Sequence, residues 1–131
     1  MAKKAFVYDG SQWVDIAQST ADLTSYATLA IPIIAAKTSA YTVASGDEGD
    51  LIELNGTFTV SIPTDATFNF VIGTQINLLN IGTGVITVAA VTPGTTTVNG
   101  TPGLKLRAQW SSATLIKRAA NTWVVVGDLA A

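Results

Sequence analysis

Residues 51–62 read LIELNGTFTVSI. Apolar and polar side chains alternate in LIEL (51–54) and again in TFTVSI (57–62), with Asn55-Gly56 between them. Alternation with a period of two marks a strand with one buried face. Asn-Gly accepts positive φ at both central turn positions, so it signals a hairpin. The second run stops at Pro63, which has no amide to give to a ladder. The stretch therefore predicts a strand, a tight turn and a strand.

The same grammar extends in both directions. TSAYTVA (38–44) precedes the turn SGDEGD (45–50). FNFVI (68–72) runs to Gly73, TQINLLNI (74–81) to Gly82-Thr83-Gly84, VITVAAV (85–91) to Pro93-Gly94, and TTTVNG (95–100) to Pro102-Gly103. In LKLRAQW (104–110), Leu104, Leu106, Ala108 and Trp110 share one phase, and Lys105, Arg107 and Gln109 the other. ATLIKRA (113–119) and TWVVVGDL (122–129) follow. Toward the N-terminus, KAFVY (4–8) and QWVDI (12–16) flank Asp9-Gly10, a second hairpin signal. Within STADLTSYATLA (19–30), Ser19 or Thr20 is a candidate N-cap, and Leu23, Tyr26 and Ala27 have helical spacing, so a short helix or an ordered arm is expected. Pro32 holds Ile31-Pro32-Ile33-Ile34 extended. About eight to ten short strands predict an all-β fold, an antiparallel β-sandwich or barrel with an N-terminal hairpin and extended arm. The expected division is residues 1–36 for hairpin and arm and 37–131 for the β domain. KAFVYDGSQWVDIA (4–17) and TLIKRAANTWVVVG (114–127) share a strand-turn-strand form with Trp-Val opening the second strand, but not the period of a solenoid.

Composition narrows the function classes. Hydrophobic residues make up 48% of the 131 and charged residues 12%, about half the usual ~25% of soluble domains. No run approaches the ~18 apolar residues of a membrane helix. LAIPIIAA (29–36) and VITVAAV (85–91) are too short. A chain this apolar and poor in charge is expected to bury surface against other chains. MAKK is a basic start, but Asp9 interrupts the run that a signal peptide would need. With no Cys there is neither a disulfide nor a thiolate, and with no His the commonest general base and metal ligand are missing. The net charge of −2 offers no basic field for nucleic acid. No enzyme activity, cofactor, metal, nucleic-acid or membrane partner is expected.

The remaining chemistry is weighed residue by residue. Lys105, Arg107, Lys117 and Arg118 could serve a nucleophile only in place of His, and read more simply as solvated faces or salt-bridge partners. Asp47, Glu48, Asp50 and Glu53 are read as a solvated turn, since GDEGD lacks the residue order of a calcium loop. IGTG (81–84) and NGTPG (99–103) do not match a phosphate loop and are read as turns. Trp110 and Trp123 fall on the apolar phase and are assigned to the core. Trp13 has the better claim to stack on a sugar, although packing across its hairpin on Phe6 or Tyr8 is the simpler use. Five acids lie between 47 and 65 and four bases between 105 and 118. These could meet across a subunit boundary or on neighbouring strands.

KAFVYDGSQWVDIAQSTADLTSY carries "VYDG-x-x-W-x-D-I" followed by a Ser/Thr-rich link, and in this it resembles the start of structural proteins of tailed bacteriophages. GTQINLLNIGTGVITVAA and NGTPGLKLRAQWSSATLIKRAANTWVVVGDL are similar to a β module at the ends of phage virion and fibre proteins. The resemblance implies a virion component on the particle surface. Fibres usually carry a long shaft, whereas here about twenty residues separate hairpin and module. That brevity implies a capsid decoration (cement) or short head-fibre protein, a homotrimer contacting the major capsid protein. A tail-fibre or tail-tip module that binds a host receptor or surface glycan is the alternative. Phe6, Tyr8, Trp13, Ile31, Ile33 and Ile34 are the expected interface or arm contacts.

Overall fold

Ile52 and Leu54 point one way from their strand and are fully buried, while Leu51 and Glu53 point the other way and are half-buried. This alternation recurs in strand after strand. The computed structural model describes residues 6–8, 13–15 and 30–131. The chain divides into two compact units, Met1–Ala30 and Ile31–Ala131. In the first, β1 (Phe6–Tyr8) and β2 (Trp13–Asp15) pair antiparallel, with Tyr8 opposite Trp13. The expected N-terminal hairpin is borne out in its strands. The Asp9-Gly10 turn and, but for Ala30, the helix or arm expected over 19–30 lie outside the described residues.

The second unit is all-β. Its strands are β3 (Ile33–Lys37), β4 (Tyr41–Thr42), β5 (Leu51–Leu54), β6 (Phe58–Ile62), β7 (Gln75–Asn80), β8 (Ile86–Ala90), β9 (Thr97–Gly100), β10 (Lys105–Leu106), β11 (Ser112–Ala119), β12 (Thr122–Gly127) and β13 (Leu129–Ala130). They form a six-stranded sheet of order β3-β5-β7-β11-β12-β9 and a five-stranded sheet of order β13-β10-β8-β6-β4. The two sheets pack as a sandwich. No helix among the described residues is long and apolar enough to cross a membrane.

The sandwich is mixed, where an antiparallel one was expected. From β3 to β8 successive strands alternate between the sheets, and each runs parallel to the strand two places earlier. The chain thus winds three times around the core. Parallel neighbours need a long crossover, and here a strand of the opposite sheet supplies it. Asn55-Gly56 is accordingly no hairpin. β3 and β7 occupy both edges of β5, so β6 has to cross to the other sheet. Alternation looks the same for parallel and antiparallel neighbours, which is why the pattern did not reveal direction. The C-terminal half reverses: β11 is antiparallel to β7 and β12, and β10 to β8 and β13.

The corners of the winding stack at one end of the sandwich. Gly82 lies against Asn55, and Gly84 against the Gly56 backbone, so a Cβ at either glycine would collide with the neighbouring turn. The IGTG glycines thus serve close approach between turns. Asn80, fully buried, ties the corner: its Nδ2 donates to the carbonyls of Gly84 (3.0 Å) and Ala108 (3.3 Å), and its Oδ1 accepts from the Gly82 amide (3.2 Å).

Between the sheets lie Ile52, Leu54, Ile76, Leu78, Leu115, Trp123 and Val125 from one side and Val60, Ile62, Ile86, Val88, Leu106 and Leu129 from the other. Phe70 meets the Trp123 ring edge-on at 5.4 Å. Leu78 is fully enclosed. Leu78→Ala is therefore expected to lower unfolding free energy by about 2–5 kcal/mol, read by urea titration.

Candidate interaction surface

Pro32 and the isoleucines around it do not form a free arm. Ile33 and Ile34 belong to β3, which pairs in parallel with β5 through Ile33↔Leu51 and Ile34↔Ile52. Period-two geometry then separates the two side chains. Ile34 packs against the core, while Ile33 is 63% exposed. Ile31 is 53% exposed and helps line a shallow groove of about 280 Å³ with Leu51, Asn77, Leu79, Ser112 and Thr114. Its floor is the outer face of β5, β7 and β11, and Thr114 Oγ1 donates to Asn77 Oδ1 across it (2.9 Å). Of the expected contact residues, Ile31 and Ile33 share this region, and Ile34 faces the other way. Phe6 and Tyr8 lie in β1 and Trp13 in β2, and their side chains are outside the described residues.

The groove adjoins the start of the winding. β3 ends the six-stranded sheet and β4 the five-stranded one, so the first coil contributes the outermost strand of both sheets. Among the described residues neither strand is paired on its outer side. Such edges carry free amides and carbonyls that accept a further strand.

The charged residues mostly stabilise the fold. Lys117 was expected on a solvated face or in a salt bridge; it is a salt-bridge residue, but only 1% exposed. It projects inward from β11, and its Nζ donates to Asp65 Oδ1 and Asn69 Oδ1, both at 2.7 Å. Asp65 also accepts the Asn121 amide (2.9 Å). Burial alone would raise the Asp65 carboxyl pKa. The hydrogen bonds from Lys117 and Asn121 and the Lys117 charge outweigh it, holding the group below the usual carboxylate range. Asp47 is buried rather than solvated, and accepts from Tyr41 Oη and the Ala44 amide, both at 2.8 Å. Burial, the bond to Asp47 and the Asp47 charge push the Tyr41 phenol up to about 12. Among the described residues no three metal-ligating side chains converge. Acids and bases meet within one chain at Lys117–Asp65 and Arg107–Asp128.

Trp110 corrects the sequence reading most clearly. Trp123 is buried as expected, at 1% exposure, but Trp110 is 66% exposed. β10 ends at Leu106, and the chain turns through Ala108–Trp110 with the Trp110 φ at 68°. The apparent alternation of LKLRAQW crosses this turn, where phase no longer assigns faces. Compared with known protein-family models and with curated proteins, the chain matches none.

The unfolded Tyr41 phenol ionises near its ordinary pKa of 10.0 and the folded one only near 12. Its contribution is thus complete below that ordinary value and is lost as pH rises through the folded value. In thermal melts across this window, Tyr41→Phe is expected to show a shallower loss. Lys117→Ala is expected to cost about 3 kcal/mol by urea titration, because it strands Asp65 beside the core. The depressed Asp65 pKa makes the ion pair's contribution present above pH about 4 and lost as pH falls below it. That acid dependence is expected to shrink in Lys117→Ala.

Proposed function

We propose that the protein is a structural component of a tailed-phage virion, a capsid decoration or short head-fibre protein that works by assembly without catalysis. The observation that carries this reading is the first coil of the winding, which supplies the outermost strand of each sheet, β3 of them carrying the exposed Ile33 next to Ile31. Sheet edges supply directed hydrogen bonds and the isoleucines supply apolar area, worth ~25 cal/mol per Å² when covered. An interface of ordinary size can therefore hold chains together without chemistry. The low charge of the chain supports the same reading, as does the resemblance of its N-terminal and C-terminal stretches to virion proteins. On this proposal the copies form a homotrimer, and the hairpin with Phe6, Tyr8 and Trp13 provides the contact with the major capsid protein.

The opposite directions of Ile33 and Ile34 supply the test. Ile33→Asp is expected to shift the oligomer to monomer by light scattering and to reduce binding to particles, with the thermal midpoint nearly unchanged. Ile34→Asp is expected to lower the midpoint itself, because it places a charge against the core. An Ile33→Asp protein with wild-type size and particle occupancy overturns the proposal.

A further inference from the structure

Trp110 stands at the corner-turn end of the sandwich, and its conformation is costly. A φ of 68° lies in the left-handed region, which bulky side chains avoid, and the ring gains no core packing in return. Glycine would hold this turn with less strain. The turn is nevertheless held firmly. Arg107 Nε and Nη2 donate to the two Asp128 oxygens at 2.7 and 2.8 Å. Ser111 Oγ donates to Asp128 (2.7 Å) and accepts from the Ala108 amide (3.0 Å). The Trp110 amide donates to the Asn80 carbonyl (2.7 Å), and Gln109 Nε2 to the Ile81 carbonyl (3.0 Å). Side chains and backbone together fix a strained loop around an exposed ring. Strain of this kind is retained where the displayed group has a use, and a pre-held aromatic loses little freedom on binding.

We propose that Trp110 is the stacking platform of a binding site for a neutral carbohydrate. A pyranose has an apolar C–H face that covers an indole and a rim of hydroxyls that both donate and accept. The neighbouring turns carry exposed groups of matching character: Asn55 and Thr83 offer an amide and a hydroxyl, Gln109 can still accept through Oε1 while its Nε2 holds the Ile81 carbonyl, and the Thr57 hydroxyl, which accepts the Val85 amide, can still donate. The charges nearby, Arg107 and Asp128, neutralise each other in a two-point pair, so no net field selects an anion. This site is independent of the Ile31–Ile33 surface, and neither proposal requires the other.

The test is an array of immobilised neutral oligosaccharides built from glucose, galactose, mannose and N-acetylglucosamine, probed with the full chain. Wild-type protein is expected to bind at least one of them. Trp110→Ala is expected to lose at least tenfold in signal, and Trp110→Tyr to retain part of it. Trp110→Gly is expected to lose binding with an unchanged or raised Tm, a combination that a purely structural tryptophan would not give. Two results overturn the proposal: no neutral sugar bound, or undiminished binding by Trp110→Ala.

Discussion

Every connection from β3 to β8 must carry the chain from one sheet to the other. The rest of the β unit depends on this constraint. A strand that leaves its sheet at every turn can find its next neighbour there only after a full coil, so the neighbours in this half run parallel. The corners then pile on one another, and the pile leaves no room for side chains at Gly82 and Gly84. Asn80 sits where this stack meets the returning C-terminal strands, and binds both through one side chain. A polar group at 0% exposure is tolerable there because its amide nitrogen and oxygen are both occupied.

The longest excursion from the winding is the segment between β6 and β7. It stays in place because Lys117 reaches out of the core to Asp65 and Asn69, while Phe70 closes over Trp123. Lys117 and Trp123 are register partners on adjacent strands. One pair of cross-strand positions thus anchors the segment by an ion pair and by an aromatic contact. The buried lysine tethers a loop, and its charge is fully used in doing so.

Among the described residues nothing precedes the first coil of the winding in either sheet, and that coil presents β3, β4 and the outward Ile33. Stacked corners close one end of the sandwich, and that end is where Trp110 projects.

The all-β class was legible in alternation alone, because burial on one face of a pleated strand imposes a period of two whatever the strand pairs with. The inward residues of LIEL, FTVSI, QINLLN and TWVVVG could be named on that basis, as could the burial of Trp123. Strand direction was not legible, since alternation is identical in parallel and antiparallel sheets. Asn55-Gly56 permits a tight turn but does not choose which strand follows in the same sheet. The exposure of Trp110 and the burial of Lys117 were hidden for the same kind of reason. Whether a side chain continues the phase of a strand depends on where that strand ends. Whether a lysine can enter the core depends on an aspartate fifty-two residues away. Local chemistry determined which residues make strands and turns; long-range pairing, decided only when the chain closed on itself, determined which surfaces were left to act.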